Sequence, residues 1–167
     1  MTRWLVLFPL LTGCASSAAL FTPGDDVSAH IVEEVGAAAS TVDLAIYTFT
    51  DTAISEALFD AASVRGVKVR VCADADQTYT IAQQRDLLDS LRDAGAQVRI
   101  ANGHSGGIMH HKFAVIDARS VLTGSYNYTL SANNVNDENL VTLTDPRLAE
   151  SYGAAFEELW SRCEEAP

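Results

Sequence analysis

Between residues 26 and 101 the chain alternates between segments of helical periodicity and short runs rich in β-branched residues. The first helical segment lies at 26–38 and the third at 80–94. The second begins after a cap at Thr50 or Asp51 and ends at Gly66. The strand-like runs lie at 42–49, 67–73 and 97–101. Because strands joined through helices connect by right-handed crossovers, this half of the chain is predicted to form a parallel α/β sheet.

The second half of the chain has a different pattern. Closely spaced strand-like runs lie at 109–116, 121–125 and 138–144, and an amphipathic helix that contains Trp160 follows at 146–164. With 167 residues, 48% of them apolar, the chain has room for one domain with a core of ordinary size. The expected fold class is α/β, an α-β-α sandwich with a mixed, largely parallel central sheet over residues 25–165.

The chain is acidic, with 11 Lys and Arg residues against 22 Asp and Glu residues and a formal net charge of −11. A protein that holds nucleic acid by charge alone needs a basic face. Any polyanionic partner must therefore be bound locally, against the net field of the protein.

The first residues have the order of a secretory signal peptide, because Arg3 supplies an early positive charge and an apolar run follows at 4–11. The tetrapeptide Leu-Thr-Gly-Cys at 11–14 resembles a bacterial lipobox. This resemblance implies a signal peptide at 1–13, cleavage before Cys14 and acylation of that cysteine. Residues 15–24 are then expected to be a linker.

Two alternatives stay open for this leader. One is an uncleaved membrane anchor over 4–21. Pro9 and Gly13 interrupt its apolar run, and a membrane span needs about 20 mostly apolar residues. The other is secretion without a lipid. The lipobox implies an exported protein of the bacterial periplasm attached through Cys14, and Ala15, in place of a retaining Asp, favours the outer membrane.

Two further cysteines, Cys72 and Cys163, would share an oxidising compartment in which a structural disulfide is allowed. Cys72 lies in a strand-like run, and Cys163 continues the apolar stripe of the last helix. Burial alone would explain both residues, so a disulfide and two separate buried thiols both stay open.

Chemically reactive side chains are concentrated in the second half. His110 and Lys112 lie on a predicted strand, where alternate residues share a face, so both point to one side and His111 to the other. A glycine-led turn then carries Ser125 and Asn127. An imidazole, a fixed cation and neutral hydrogen-bond donors that meet at one point form a phosphate site.

Seven typed positions resemble the HKD motif of the phospholipase D superfamily with its downstream acidic residue: His110, Lys112, Asp117, Gly124, Ser125, Asn127 and Glu138. The stretches 45–49 and 65–71 also look like this family, so the likeness covers about residues 25–165. It implies a phospholipase D-like catalytic domain with one HKD motif per chain. Asp117 lies on the opposite strand face by parity and is expected to serve structure.

The resemblance implies a role for each of the other matched side chains. His110 would be the nucleophile that forms a phosphohistidine, and Glu138 would accept a hydrogen bond from its other ring nitrogen. Lys112 and Asn127 would hold the non-bridging phosphate oxygens. Ser125 would assist at the phosphate or brace its loop.

A second histidine is needed to protonate the leaving oxygen, yet the chain has one motif. His111 faces away, and His30 and His104 lack the Lys and Asn that would share a phosphate. Single-motif members of the family pair two chains. The resemblance therefore implies a homodimer in which two copies of His110 share one active site.

The resemblance implies no cofactor. His104, His110 and His111 lie close together in the sequence, but no Cys or matched carboxylate spacing accompanies them, so no metal site is expected. Asp74 and Asp76 end a strand-like run and predict a turn or a helix cap.

The substrate is predicted less narrowly than the reaction. A phospholipase D that releases a phospholipid head group and leaves phosphatidic acid suits a lipid-tethered, acidic protein, and it is the preferred hypothesis. An EDTA-resistant endonuclease for DNA or RNA suits the short chain, although its basic groove could draw only on a few cations: Lys68, Arg70, Arg99, Lys112 and Arg119. An inactive lipid-anchored phosphate-binding protein also stays open, because fold alone does not establish function.

Overall fold

The computed structural model describes residues 16–165, which form an eight-stranded sheet with helices on both faces. The strands are β1 (Ser16–Thr22), β2 (Thr41–Ile46), β3 (Lys68–Asp74), β4 (Gln97–Ala101), β5 (Lys112–Ile116), β6 (Ser120–Gly124), β7 (Glu138–Thr144) and β8 (Glu164–Glu165). The helices are α1 (Val27–Ala37), α2 (Thr52–Ser63), α3 (Ala75–Thr80), α4 (Ala82–Asp93), α5 (Leu130–Asn134) and α6 (Pro146–Ser161). This arrangement confirms the predicted α/β class.

The sheet is mixed, with the strand order β1-β7-β6-β5-β2-β3-β4-β8. β3 pairs in parallel with β2 and β4, as the helical crossovers predict. The other five pairings in the described chain are antiparallel, so the prediction of a largely parallel sheet is wrong. The reason is that β5 follows β4 without a crossover helix and β6 follows β5 through a short hairpin, a connection that gives antiparallel pairs.

Residues 16–22 form an edge strand where a linker was expected. β1 runs antiparallel to β7, in a register that extends from Ser16 opposite Thr144 to Thr22 opposite Glu138. The linker prediction is therefore wrong over β1. This strand depends on pairing with a segment far along the chain, and no local pattern reveals that partner.

The expected signal peptide at 1–13 and the expected lipid site Cys14 lie outside the described residues. Within residues 16–165, no helix combines the length and the apolar character that a membrane span requires.

Two apolar cores fill the space between the sheet and its helices. The larger core lies under α1, α2 and α4 and includes Ile31 and Leu58. The smaller core lies under α6 and includes Phe156 and Trp160, the expected core residue of the last helix. Burial of these apolar surfaces is the main force that holds the three layers together.

Aspartates begin four of the described helices, and each accepts a hydrogen bond from a backbone N–H of the first turn: Asp26, Asp51, Asp74 and Asp145. Asp74 thus caps α3, and Asp76 lies inside this short helix. Because Ile81 is extended, α3 and α4 are separate helices, and the predicted helix at 80–94 begins only at Ala82.

A disulfide joins Cys72, in β3, to Cys163, two residues beyond the end of α6, with 6.7 Å between the two Cα atoms. The next residues form β8, which pairs with the edge strand β4. The covalent bond and the strand pairing together hold the C-terminal segment against the sheet.

Candidate active site

The predicted site residues lie at one edge of the sheet, here called the site edge. β5 and β7 begin there, and β2 and β6 end there, because Ile46 lies opposite Lys112 and Gly124 lies opposite Leu140. Antiparallel pairing therefore brings five separated positions to the same edge: His110, Lys112, Ser125, Asn127 and Glu138. β5 begins at Lys112, so His110 lies just before the strand and not within it, as the predicted run from 109 had placed it.

Tyr47, directly after β2, contacts both residues of the His-Lys pair. Its ring lies 4.5 Å from the His110 ring, edge to face, and 5.0 Å from the Lys112 Nζ atom. The same Nζ atom donates a hydrogen bond of 3.0 Å to the His110 carbonyl oxygen. His111 packs instead against the ring of Phe113, at 5.4 Å. The imidazole of His110 and the ammonium of Lys112 thus lie on one side of the chain, and His111 lies on the other.

Lys112 is a nearly buried cation, with 9% of its surface exposed. Burial lowers the pKa of its ammonium, and the negative charge of Glu138 acts in the opposite direction. A charge in this position interacts with an anion more strongly than a charge in open solvent does. The site edge therefore holds a local positive charge within an acidic protein.

The Glu138 carboxylate is held by two neighbours. Ser125 Oγ donates to its Oε2 atom at 2.5 Å, and Asn136 Nδ2 donates to its Oε1 atom at 3.3 Å. Within residues 16–165 no hydrogen bond joins Glu138 to His110, so the contact that the family resemblance implies is not formed here. Ser125 also accepts a hydrogen bond from the backbone N–H of Asn139, and it braces the turn against β7.

Gly124 is required by the close approach of that turn to β7. The Asn139 carbonyl oxygen accepts hydrogen bonds from the backbone N–H groups of Ser125 and Tyr126. A Cβ atom on Gly124 would lie 2.1 Å from this oxygen, which is sterically forbidden. The glycine that leads the motif therefore fixes the position of Ser125.

Asn127 lies between two buried aromatic residues, Tyr126 and Tyr128. The Tyr128 carbonyl accepts hydrogen bonds from the N–H groups of Thr50 and Asp51, which anchors the segment to the start of α2. The side-chain oxygen of Asn127 is buried and has no hydrogen-bond partner among the described residues. Because the oxygens of a phosphodiester only accept hydrogen bonds, the part of Asn127 that can bind a phosphate is its Nδ2 donor and not this oxygen.

Asp74 is a positioning residue whose link to the site the sequence did not reveal. Its carboxylate is 1% exposed; Oδ1 accepts from the Gln77 N–H, and Oδ2 accepts from the Met109 N–H at 2.9 Å. It thus fixes the backbone directly before His110. The strand-end position predicted the cap, but the contact with Met109 joins two distant segments that have no common local signal. The contacts of Tyr47 with His110 and Lys112 also join distant segments, so the sequence did not predict them.

Asp117 lies at the opposite end of β5, here called the far edge. Its carboxylate accepts four hydrogen bonds of 2.7–2.9 Å, from the Ala39, Ser40 and Thr41 N–H groups and the Ser40 hydroxyl. Partial burial acts to raise the pKa of this carboxyl, but the four hydrogen bonds outweigh it and lower the pKa to about 2. Asp117, in the turn between β5 and β6, therefore holds the connection between α1 and β2 and lies away from the other motif residues.

Within residues 16–165, no three His, Cys, Asp or Glu side chains are grouped so that they could hold a metal ion. His104 lies in a short 3-10 turn at His104–Gly106, apart from the His-Lys pair. The chemistry that the site edge can offer is an exposed imidazole beside a nearly buried ammonium and an unpartnered amide, a set suited to a phosphate group.

Comparison with known proteins points to one family. A family model described as "Cardiolipin synthase, PLD-like domain" matches residues 31–160. The chain is 34% identical over 148 residues to the mitochondrial cardiolipin hydrolase of Chlamydomonas reinhardtii, with 89% of this chain and 64% of that protein covered. It is 36% identical over 132 residues to the phospholipase D of Rickettsia prowazekii, with 79% and 62% covered. The chain thus spans less than two thirds of the length of these two relatives.

Two solved structures of similar size share the fold. Nuc from Salmonella typhimurium, described as a phospholipase D family member, has a TM-score of 0.84 and 26% identity, with 91% of this chain and 98% of that chain covered. NucT from Helicobacter pylori has a TM-score of 0.83 and 25% identity, with 91% and 99% covered. The family match, the relatives and the shared fold agree: the chain belongs to the phospholipase D superfamily and carries its PLD-like domain.

Proposed function

We propose that this chain is a metal-independent phosphodiester hydrolase whose nucleophile is His110. The observation that carries the proposal is the placement of three groups at the site edge: the His110 imidazole, the nearly buried Lys112 ammonium and the Asn127 side chain, whose Nδ2 group can donate to a phosphate oxygen. A phosphate bound among them would meet a nucleophile, a cation and a neutral hydrogen-bonding group. The names of the relatives, cardiolipin hydrolase and phospholipase D, support the same class of reaction.

The proposed reaction has two steps. A ring nitrogen of His110 attacks phosphorus, the bond between phosphorus and the leaving oxygen breaks, and a general acid protonates that oxygen. Water then attacks the phosphohistidine, the nitrogen–phosphorus bond breaks, and the same group, now a base, accepts the proton of water. Lys112 and Asn127 would stabilise the non-bridging oxygens, and the negative charge of Glu138 would favour the cationic imidazole that develops.

The general acid is proposed to come from a second copy of the chain. Two copies of His110 would meet across a two-fold axis, one as nucleophile and one as acid. The observation that supports this arrangement is the placement of His111 on the opposite side of the strand, against Phe113, where it cannot reach a phosphate held by Lys112. A homodimer with one shared active site would supply both histidines.

The proposed substrate is a phospholipid, which would be hydrolysed at its head group to give phosphatidic acid. The two curated relatives named above support a lipid substrate, and so does the acidic charge of this chain. The lipobox-like segment supports export to the periplasm and attachment to a membrane, with the outer membrane favoured, through an acylated Cys14. Such an anchor would keep the enzyme at a lipid surface.

Cleavage of nucleic acid is the second candidate. The observation that favours it is the fold, which matches 98% of Nuc with a TM-score of 0.84 and 99% of NucT with a TM-score of 0.83. An enzyme with this domain would cut DNA or RNA by the same two steps at His110.

One assay separates these functions. The protein would be incubated in EDTA with phospholipid vesicles and, separately, with plasmid and single-stranded DNA, alongside a His110→Ala variant. The proposal predicts release of phosphatidic acid that the substitution abolishes. Nicking of DNA without lipid turnover would refute the lipid substrate. Hydrolysis that survives His110→Ala would show that His110 is not the nucleophile and would favour a site edge that only binds phosphate.

A further inference from the structure

A cavity of about 220 Å³ lies at the site edge beside the proposed active site, where β3 and β4 end. Its lining includes Tyr79 on α3, Asn102 directly after β4, and Arg162 and Glu164 near the C-terminus. Ala75 also lines it, and the neighbouring Asp74 holds the backbone of Met109, the residue before His110. Asp74 thus connects one lining residue of the cavity to the backbone directly before the nucleophile.

Arg162 brings a positive charge to this cavity. Three of the eight arginines in the described chain form ion pairs: Arg70, Arg92 and Arg147. Arg162 forms none within residues 16–165; its Nη1 atom donates instead to the Asn102 carbonyl oxygen at 2.5 Å. One arm of the guanidinium is therefore fixed, and its remaining N–H groups can donate to an anion.

The charge of Arg162 also reaches the catalytic segment. Burial lowers the pKa of the His111 imidazole, and the positive charge of Arg162 lowers it further, more than that of Lys112 does. Arg162 and Lys112 thus act on the same short segment of chain from two sides. An anionic substrate that bridges them would satisfy both cations.

The position of Arg162 is fixed by the covalent structure around it. Cys163, the next residue, is bonded to Cys72 in the middle of the sheet. Glu164 then pairs with Ile100 on β4. The disulfide and β8 therefore hold the guanidinium in place before any ligand binds, which reduces the entropic cost of binding.

The rim of the cavity favours a lipid over a polynucleotide. Tyr79 is 57% exposed, and Ile108, which bridges to Asn102, is 49% exposed. Exposed apolar side chains beside a cation suit the boundary between lipid head groups and acyl chains, where tyrosine is enriched. The net charge of −11 also opposes the binding of a long polynucleotide.

We propose that the Arg162 cavity binds a second, non-scissile phosphate of a lipid substrate while the first phosphate is attacked by His110. This inference rests on the proposed lipid hydrolase function and deepens it. The lipid class it selects is a diphosphatidyl lipid, in which one glycerol joins two phosphates. Arg162 is then the residue that sets the preference for such a lipid over one with a single phosphate. The negative charge of Glu164 in the same cavity weakens this preference.

The test compares two vesicle types of equal charge: phosphatidylcholine with cardiolipin, and phosphatidylcholine with twice that mole fraction of phosphatidylglycerol. Release of phosphatidic acid is measured in EDTA. We expect the wild type to prefer cardiolipin and Arg162→Gln to lower kcat/KM for cardiolipin about 10-fold, with phosphatidylglycerol turnover changed less than about twofold. Arg162→Lys should keep part of the preference, and Glu164→Gln should increase it.

The matched control is Arg119→Gln, which removes the same charge from an exposed position in the hairpin at the far edge. It should leave both rates unchanged. Equal losses on both lipids in Arg162→Gln, or the same loss in Arg119→Gln, would overturn the cavity assignment while the lipid hydrolase function stands. If Arg162→Gln spared both lipids and slowed cleavage of single-stranded DNA, the cavity would belong to a nuclease. Failure of the wild type to hydrolyse either lipid would refute the proposed function itself, and this inference with it.

Discussion

The two ends of strand β5 carry residues of the same motif in opposite environments. At the site edge, the Lys112 ammonium has one hydrogen bond among the described residues, and the buried oxygen of the neighbouring Asn127 has none. At the far edge, Asp117 accepts four hydrogen bonds and its pKa falls to about 2. The bonding capacity at one end stays available for a ligand, and at the other it is used within the protein. Activity should therefore depend on one end of the strand and stability on the other.

The largest expected effect tests the site edge directly. His110→Asn should lower hydrolysis of the phosphodiester substrate at least about 10³-fold, because the nucleophile is lost. Its melting temperature should not change, since the imidazole is exposed. The matched control is His111→Asn on the other side of the strand, expected to keep activity within about threefold. Equal losses in both variants would remove the distinction between the two histidines.

A second substitution separates charge from stability at the same end of β5. Lys112→Met should lower kcat/KM by about 10²–10³-fold because it removes the cation that holds the phosphate. Its melting temperature should stay the same or rise, since burial disfavours the ammonium. Lys68→Met, at the exposed start of β3, is the control for loss of one charge. A marked drop in stability of Lys112→Met would mean that this lysine serves the fold.

A smaller effect is expected at Asn127. Asn127→Ala should lower kcat/KM about 10-fold, because one group that contacts the phosphate is lost. Its free energy of unfolding should change by less than about 1 kcal/mol, since the oxygen that is removed has no partner among residues 16–165. Urea denaturation and steady-state kinetics measure the two quantities. Unchanged kinetics would place Asn127 outside the site.

The far edge should show the reverse pattern. Asp117→Asn should lower the free energy of unfolding by about 1 kcal/mol, a figure kept small because the carboxyl is partly exposed. Activity per folded molecule should be unchanged. A loss of activity without a loss of stability would contradict the division between the two ends of β5.

The free energy of unfolding lost in Asp117→Asn should depend on pH. The pKa of Asp117 in the folded protein, about 2, lies below the ordinary value of 3.8 for this side chain, so its stabilising contribution is present above about pH 4. It should disappear as the pH falls from about 4 towards 2. The stability difference between wild type and Asp117→Asn, measured by denaturation across this range, should shrink accordingly.

Residues close in sequence were predicted well, and contacts between distant segments were not. Strand parity placed His110 and Lys112 together and Asp117 apart from them, because alternation along a strand is a local property. The cap at Asp74 also followed from its position. The contact of Asp74 with Met109, however, depends on how β3 and β5 are arranged in the sheet.

The wrong predictions have the same origin. β1 was expected to be a linker, and the sheet was expected to be largely parallel, because both features depend on which strands become neighbours. The disulfide between Cys72 and Cys163 stayed open at the sequence level, since spacing does not reveal whether two thiols meet. Local patterns thus pointed to most side chains of the candidate site, but not to the contacts between distant segments that hold them.

The central claim is that His110 becomes covalently bonded to phosphorus during the reaction. The most direct measurement is rapid quenching of the protein during turnover, followed by peptide mass spectrometry of the 110–112 region. We predict an adduct on His110 whose mass is that of the phosphate with its retained ester group, a phosphatidyl group for a phospholipid substrate, that is labile in acid and absent from His110→Asn. Turnover without any adduct, or an adduct on another residue, would contradict the mechanism.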